Sequence, residues 1–488
     1  MGTAYVTTDG SSSFNCDGKD DQVQINQALE SSNETIYLKG PNTFNVTGPI
    51  YINSNKELTG DSNAIIKLYK YPDGLPTPPV CRAIINAKES STKNITIHGF
   101  TIDGNYDNNR GGVWGNNHYN MIQLFGSSYV KIYDMSFKNG TGDAIRIRQG
   151  SKDDYIHENT NIEIYNNTIY EIGHDGLYLF SVSNIDIHDN HITCNDNSGI
   201  RLFNSNHVKV YNNFITSNNR GGVGLQIQKR ESPVINDIKI YDNTFKNLRT
   251  RGIAVTGYHN DSFHYPMTSA CGVLINHNIV TGCATTTDSD SYGGIMVQGF
   301  NNTIIENNII DGNNGYGVSH NQYAYPAPGT GYVTIVRNNV ITNTKILNSS
   351  SKPGYGISNL LQSTHSFVIN NNCLRNNAKG DYYNCSSTTD IHSDPLFAGS
   401  EDYHPKSKVG RWFNGGWVKD TVHSPLIDAG YPSSDYSKEP APNGNRINIG
   451  LYGNTSQASK SLTGTIPVTY DVNVNSTPSG AIVTIQKI

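Results

Sequence analysis

The stretches IEIYNNTI (residues 162–169), IDIHDNHI (residues 185–192) and VKVYNNFI (residues 208–215) decide the fold. In each of them apolar residues alternate with polar ones, and the alternation ends at Asn-Asn or Asp-Asn. This pattern is typical of a short strand, a turn and the start of a second strand. Further copies follow as IKIYDNTF, VLINHNIV, TIIENNII, VTIVRNNVI and FVINNNCL. The chain is therefore built from repeats.

The second Asn of each copy gives the period of the repeat. These residues are Asn167, Asn190, Asn213, Asn243, Asn278, Asn308, Asn339 and Asn372. Their spacings of 23 to 35 residues indicate a stacked array, and the shortest coil fits three strands. We predict an all-β, parallel β-helix in which the longer copies carry loop insertions. The Asn side chains should stack in one column and bond the backbone groups that the turns leave unpaired.

The two ends of the chain differ from the repeats. Residues 17–32 are amphipathic and predict a helix that caps the first coil, with Val23, Ile25, Ala28 and Leu29 on its inner side. We divide the chain into a β-helix domain over residues 1–385, an irregular C-terminal extension with β structure over residues 386–462, and the start of a small β module over residues 463–488.

Composition excludes several classes of protein. The 488 residues hold 36 Lys and Arg against 41 Asp and Glu, a net charge of −5, so we expect no nucleic-acid partner. No run of about 18 apolar residues is present, so we expect no membrane span. Seven cysteines without a C-x-x-C pair argue against zinc or a redox dithiol. Recurrent Asn-x-Ser/Thr sequons fit an extracellular or cell-surface protein, which we expect to be a monomer.

One strand of each coil follows a recurrent Gly turn, and its outward positions form a polar stripe. They are Gln123, Arg146, Tyr178, Arg201, Gln226, Ala254 and Met296. The turns just before these strands hold Asn120, Asp143, His174, Asp175, Asn197, Ser198, Arg220, Thr250 and Arg251. Because successive coils lie about 4.8 Å apart, we expect these side chains to face solvent as one long trough.

The trough has the chemistry of a carbohydrate site. Asp143 and Asp175 lie one coil apart, and two close carboxylates push their pKa values apart into an acid and a base. We predict these two residues and the adjacent His174 as catalytic. The predicted substrate-binding residues are Tyr119, Arg146, Tyr178, Arg201, Arg220, Gln226 and Arg251. A structural role stays open for both aspartates, since Asp before Gly commonly accepts backbone N–H bonds in a turn.

Metal binding is the weaker possibility. The acidic segments at residues 151–159 and 194–199 offer oxygen ligands of the kind that calcium takes, but neither has the spacing of a known calcium loop. We expect no cofactor and no metal, with calcium as the alternative.

The repeats over residues 1–385 resemble the pectin-lyase-like right-handed β-helix proteins. The segment from VGRW to SQAS, residues 409–459, is similar to the disaggregatase-associated segment of methanogenic archaea. Residues 472–485, VNVNSTPSGAIVTI, resemble the opening of the PEGA surface module. The disaggregatase resemblance implies cleavage of methanochondroitin, the uronic-acid and N-acetylgalactosamine polymer that holds such cells together.

Three functions follow from these patterns. The first is an extracellular, endo-acting glycoside hydrolase on an acidic polysaccharide, with Asp143 and Asp175 as acid and base. The second is a polysaccharide lyase or epimerase, in which a base removes the proton beside a uronate carboxylate and arginines stabilise the intermediate. The third is a non-catalytic surface adhesin whose stripe only binds glycan.

Overall fold

A computed structural model describes most of the chain. The described residues are 2–69, 82–89, 91–109, 119–148, 159–194, 196–218, 221–229, 236–257, 272–286, 293–298, 302–321, 333–346, 353–360 and 366–462. The predicted β module at residues 463–488 lies outside them. No helix in the described part of the chain is long and apolar enough to cross a membrane.

Three long parallel sheets form the body of the protein, and the chain visits them in turn. In stacking order, sheet 1 contains Phe14–Asn15, Thr3–Thr7, Thr35–Leu38, Lys56–Gly60, Lys93–His98, Ser128–Tyr133, Asn159–Tyr165, Val182–His188, Asn206–Tyr211, Ile238–Tyr241, Val273–Asn276, Thr303–Glu306, Val333–Arg337 and Ser366–Asn370. Sheet 2 contains Thr43–Val46, Ile65–Leu68, Thr101–Asp103, Ser136–Gly140, Thr168–Ile172, His191–Cys194, Phe214–Ser217, Thr244–Lys246, Ile279–Thr281, Ile309–Asp311, Val340–Thr342 and Cys373–Arg375. Sheet 3 contains Ile50–Ile52, Arg82–Ala87, Tyr119–Phe125, Ile145–Arg148, Leu177–Phe180, Ser198–Phe203, Val223–Lys229, Arg251–Gly257, Gly293–Gln298, Tyr316–Asn321, Tyr355–Asn359 and Gly380–Tyr383. The predicted right-handed parallel β-helix is confirmed.

The interior of the coil is apolar because every strand turns alternate residues inward. In one coil Ile164, Ile169 and Leu177 represent the three sheets, and all three are buried. Each such side chain contributes about 1.5–3 kcal/mol by leaving water. The repeated alternation in the sequence is therefore the source of the continuous core.

The predicted asparagine column is present at the corner between sheets 1 and 2. Each Asn Nδ2 donates to the Oδ1 of the next Asn along the column, as Asn278 does to Asn308 at 3.0 Å and Asn308 to Asn339 at 2.9 Å. The residue before each of them has a positive φ, for example 55° at Asn307, a conformation that Asn adopts more readily than most residues. The column ends at Asp390, which accepts from Asn372.

A second column lies just before this corner, at the ends of the strands of sheet 1. Its six aromatic rings stack face to face with centroids 4.4–5.0 Å apart and planes within 10° of each other. They are His98, Tyr133, Tyr165, His188, Tyr211 and Tyr241. Stacking of like residues fixes the same register as the asparagine column.

The capping helix is present but shorter than predicted. It spans Gln22–Glu30 and buries Ile25, Ala28 and Leu29 against the first coil. Val23 is exposed, so its predicted place on the inner side was wrong. Asp21, just before the helix, is buried, and its carboxylate accepts the backbone N–H groups of Gly18 and Asn45, which ties the start of the helix to the first coils.

The C-terminal extension packs on the corner between sheets 1 and 2. Three turn residues of that corner, Asn307, Asn338 and Asn371, hydrogen-bond its backbone. A buried apolar cluster joins Leu426 of the extension to residues of sheet 2. Its regular structure, in the described residues, is one antiparallel hairpin of Arg411–Phe413 and Gly416–Val418.

A buried acid lies inside the extension. Burial raises the pKa of Glu439 to about 8, although the backbone N–H groups of Asn448 and Asn454 donate to its Oε1 and oppose the rise. Glu439 therefore holds its proton in the folded protein at neutral pH. The nearby Asp428 adds to this effect through its negative charge.

We expect Glu439→Gln to change how stability depends on pH. The folded pKa of about 8 lies above the ordinary value of 4.5, so the bound proton stabilises the fold fully below about pH 4.5 and the gain is lost as pH rises through about 8. Gln cannot ionise, so the variant should gain about 1–2 kcal/mol relative to the parent between about pH 6.5 and 9. Burial raises the pKa of Asp428 only to about 6, below this window. Thermal melting across the window tests the difference, and parallel pH profiles of the two proteins would contradict it.

Candidate functional site

The strands of sheet 3 align the predicted stripe as the sequence spacing requires. Gln123 pairs in register with Arg146, Arg146 with Tyr178, Tyr178 with Arg201, and Arg201 with Gln226. The side chains of Arg146 and Arg201 therefore lie two coils apart on one face, with Tyr178 between them. Residues far apart in the sequence become neighbours here.

The stripe is shorter than predicted. The outward positions that follow Gln226 in register are Ala254 and Met296, and both are buried, in a small apolar cluster with Val223. Gln123 at the other end is also buried. The partly exposed section therefore runs over four coils, from Arg146 to Gln226.

The two aspartates do not face solvent, which corrects the prediction. Asp143 is 1% exposed and Asp175 0% exposed, at the corner between sheets 2 and 3. Oδ1 of Asp143 accepts the backbone N–H of Asp175 at 3.0 Å, and Oδ1 of Asp175 accepts that of Ser198 at 2.9 Å. Asn120 does the same for Asp143 at 3.0 Å. One oxygen of each carboxylate is thus part of a ladder along the corner, as the structural alternative for a turn aspartate predicts.

The other oxygens hold the cations of the stripe. Oδ2 of Asp143 lies 2.7 Å from an Nη atom of Arg146, and Oδ2 of Asp175 lies 3.3 Å from Nε of Arg201. Arg146 also lies over the ring of Tyr178, with its Cζ 4.0 Å from the centroid. The hydrogen bond to the buried Asp143 fixes the guanidinium group of Arg146 in place, whereas Arg201 lies at ion-pair distance from Asp175 without a hydrogen bond between Nε and Oδ2.

His174 lies between these two ion pairs. Its Nδ1 is 2.6 Å from Oδ1 of Asp143 and 3.3 Å from Oδ2 of Asp175, and its side chain is 14% exposed. Its Nε2 is 3.2 Å from Nδ2 of Asn197, one coil further on. The sequence alignment of the coils placed Asn197 in this turn, but we predicted no role for it. Its position, which matches that of His174 in the next coil, could have indicated the contact.

The surroundings of Asp143, Asp175 and His174 shift the pKa values of the three groups in different ways. Burial opposes ionisation of Asp143, but the hydrogen bond and charge of His174, with the charge of Arg146, outweigh it and lower its pKa to about 2. Burial raises the pKa of Asp175 to about 6, against the charges of Arg201 and His174. Burial would lower the pKa of His174, but the bond to Asp143 and the charges of both aspartates raise it. The cluster therefore holds one firmly ionised carboxylate, one carboxyl that titrates near neutrality and one basic imidazole.

The same three residues have the spacing of a metal site, with one possible ligand atom from each lying within 4.8 Å of the others. The guanidinium groups of Arg146 and Arg201, however, already contact the carboxylate oxygens that a cation would take. The cluster is therefore better suited to proton transfer than to holding a metal ion. Of the two alternative calcium segments, residues 151–159 lie outside the described residues except for Asn159, and residues 194–199 are described except for residue 195.

The remaining predicted contact residues lie at different distances from the cluster. Gln226 adjoins Arg201 and accepts from Ser198 Oγ at 3.3 Å. Arg251 lies in register with Ser198, two strands further along sheet 3. Tyr119, predicted to bind substrate, is 4% exposed and belongs to the apolar core cluster. Arg220 lies outside the described residues.

A groove of about 550 Å³ adjoins the cluster on the sheet 2 side. Its lining includes Gly173, directly before His174, and Asp196, directly before Asn197. Tyr106, from the short helix Tyr106–Asn109, is also part of its lining. Four acids and one lysine contribute to the lining, so the groove is acidic: Asp103, Asp107, Glu171, Asp196 and Lys67.

Solved structures show the same architecture elsewhere. The chain is similar to the A-module of the mannuronan C-5 epimerase AlgE6 of Azotobacter vinelandii, at 18% identity and a TM-score of 0.57, over 77% of this chain and 96% of that one. It is also similar to pre-mature gene product 12 of bacteriophage phi29, at 19% identity and a TM-score of 0.57, over 75% of this chain and 49% of that one. At these identities the likeness concerns the fold. Among curated proteins no relative matches the chain.

Two sequence families match parts of the chain. Residues 120–265 match the family described as right handed beta helix region, and residues 235–430 match the family described as disaggregatase related. The second match lies mainly on the later coils and reaches only the first part of the segment at residues 409–459 on which the resemblance was based. The chain is thus a right-handed β-helix, of which residues 235–430 match the disaggregatase-related family.

Proposed function

We propose that this protein is an extracellular enzyme that acts on an acidic polysaccharide by moving a proton at a uronate unit, with His174 as the base. The observation that carries the proposal is the 2.6 Å bond between His174 Nδ1 and Asp143, set between Arg146 and Arg201. In the cluster, the imidazole and the guanidinium groups are partly exposed, whereas both carboxylates are buried. A substrate therefore meets His174 and the arginines first.

The chemistry follows from these positions. The carbon beside a carboxylate loses its proton only if the growing negative charge on that carboxylate is offset, and Arg146 and Arg201 supply positive charge. Asp143 holds the Nδ1 proton, so Nε2 of His174 is the basic atom, and the substrate displaces Asn197 from it. The C–H electrons pass into the carboxylate as an enolate. Breaking the C–O bond at the next carbon then gives a lyase, with the proton passing from His174 to the leaving oxygen. In an epimerase a water donates a proton to the opposite face of the enolate, and His174 releases its proton to solvent.

The proposed substrate is the uronic-acid and N-acetylgalactosamine polymer methanochondroitin, and the disaggregatase-related match supports it. That a mannuronan C-5 epimerase has the same fold supports a site of this type on a parallel β-helix. The sequons support an extracellular location. The enzyme would then disperse cell aggregates by acting on their matrix.

Glycoside hydrolysis is the second candidate, since the pKa values of about 2 for Asp143 and about 6 for Asp175 are divided as an acid–base pair requires. Burial of both carboxylates counts against it, because a glycosidic oxygen and a water must reach them. Hydrolysis would require the corner between sheets 2 and 3 to open, so that substrate and water reach the two carboxylates.

Product analysis tests the proposal. Incubation with a uronate and N-acetylgalactosamine polymer should give either chains ending in an unsaturated sugar, which absorbs in the near ultraviolet, or deuterium uptake from heavy water without cleavage. New reducing ends without that absorbance would instead support the hydrolase. No change of the polymer in mass or isotope content would leave only glycan binding and overturn the enzyme.

A further inference from the structure

The hairpin of the C-terminal extension presents an aromatic surface to solvent. Asn414 and Gly415 at its tip have φ values of 46° and 84°, as a tight two-residue hairpin turn requires. Trp412 lies directly opposite Trp417, and their rings meet edge to face with centroids 5.2 Å apart. Trp417 is 37% exposed and Phe413 50% exposed. Large aromatic side chains left open on a rigid hairpin are typical of a binding surface.

Lysines surround this aromatic surface. Nζ of Lys460 lies 4.3 Å from the centroid of a Trp417 ring. Lys419 follows directly after the strand Gly416–Val418, Lys408 comes just before the hairpin, and both are exposed. In the described part of the chain no ion pair involves Lys408, Lys419 or Lys460. Their charges are available to a ligand.

The arginine of the hairpin has a different role. Arg411 bonds both oxygens of Asp420, with Nε to Oδ2 at 3.0 Å and an Nη to Oδ1 at 3.2 Å. This bidentate pair holds the base of the hairpin, since Asp420 also accepts the backbone N–H of Ser407 at 2.8 Å. The aromatic side chains are thus positioned before any ligand arrives.

The hairpin belongs to a different part of the molecule from the proposed active site. The extension docks on the corner between sheets 1 and 2 through Asn307, Asn338 and Asn371. His174 and Asp143 lie at the corner between sheets 2 and 3. A ligand on the hairpin therefore needs its own contacts.

We propose that the hairpin patch, formed by Lys408, Trp412, Trp417, Lys419 and Lys460, is a second, non-catalytic binding surface for an acidic polysaccharide. Flat indole surfaces cover the apolar faces of sugar rings, while ammonium groups meet carboxylates. Charge selects the occupant: the patch is cationic although the chain as a whole carries −5, so a polyanion is attracted locally, whereas a nucleic-acid binder would need a wider basic field. Only the identity of the polymer rests on the proposed function.

A binding experiment on the full chain tests this surface. Mobility in native gels containing unsulfated chondroitin, an alternating uronate and N-acetylgalactosamine polymer, gives the apparent Kd. Trp417→Ala and Lys419→Glu should each weaken binding by about tenfold, a loss of one ring contact or one charge reversal. The matched controls are Tyr129→Ala, which removes an exposed aromatic side chain on sheet 1, and Lys19→Glu near the N-terminus. Both variants should bind as the parent does.

Several outcomes would overturn the patch. They are unchanged binding by Trp417→Ala with an unchanged melting temperature, equal retention by neutral dextran, equal retention by double-stranded DNA, or Trp417-dependent self-association without polymer. Gel mobility measures binding and product analysis measures turnover, so the two measurements separate the binding surface from the proposed enzyme. If Trp417 controls retention while no polymer is ever altered, the enzyme fails and the binding surface stands; if products form while retention ignores Trp417, the reverse holds.

Discussion

His174→Ala is expected to lower kcat/KM on an acidic polysaccharide by about 10²- to 10⁴-fold, the usual contribution of a positioned acid or base. The imidazole is the titratable group of the cluster with an exposed edge, and Asp143 fixes its tautomer through the 2.6 Å bond to Nδ1. Steady-state rates from product formation measure the loss. The melting temperature should also fall, because the side chain is 14% exposed and bonds the buried Asp143, so rates are compared at a temperature at which both proteins are folded.

The companion variant is Asp143→Asn, which separates chemistry from folding. Asn keeps an oxygen for the backbone N–H of Asp175, as Asn120 does one coil earlier, so the ladder should survive. Removing the negative charge removes a cause of the raised pKa of His174. Since the base must be unprotonated, the acid limb of the pH–rate profile should move to lower pH while the rate falls.

A matched control for that charge change is Asp186→Asn on sheet 1, where the carboxylate pairs with Lys209 at 3.4 Å on the opposite part of the coil. It should leave the pH–rate profile in place. A His174→Ala protein with turnover within tenfold of the parent, or an Asp143→Asn protein whose profile does not move, would remove His174 as the base.

The sequence predicted the register of the site but not its depth. The recurrent Gly turn fixed which residues pair, and the structure places Arg146, Tyr178 and Arg201 in consecutive register. Strand periodicity, however, assigns inward and outward only within a strand. Asp143 and Asp175 lie in the corner before the strands, where the side chain points along the column and bonds the next coil's backbone.

A signal for this was present in the column itself. Asn120 and Ser198 flank the two aspartates at the same phase, and a run of short polar residues at one corner position is also what forms the asparagine column at the other corner. The shape of the stripe beyond Gln226 could not be inferred, since Ala254 and Met296 stand at outward positions but are buried. The burial of these two side chains depends on which parts of the chain pack over the outer face of sheet 3, and the repeat period of the sequence does not contain that information.

The asparagine column makes the strongest prediction about stability. Asn308 sits in its middle and is buried; its Nδ2 donates to the carbonyl of Ile275 at 2.9 Å, and its Oδ1 accepts the backbone N–H of Asn278 at 2.9 Å. Asn308→Ala leaves both of these backbone groups without a partner inside the wall of the coil. Each such group costs about 1–3 kcal/mol, and at about 1–2 kcal/mol for each of the two groups we expect a total loss of about 2–4 kcal/mol.

Hydrogen exchange shows where this loss falls. A stacked array couples each coil mainly to its neighbours, so the opening should be local to the coils around Asn278 and Asn339. A loss of about 2–4 kcal/mol corresponds to amide exchange faster by about 30- to 1000-fold in those coils. Thr168→Ala, an exposed change on sheet 2, is the control and should alter exchange hardly at all. If Asn308→Ala exchanges like the control, the column contributes little stability and the apolar core alone holds the coils in register.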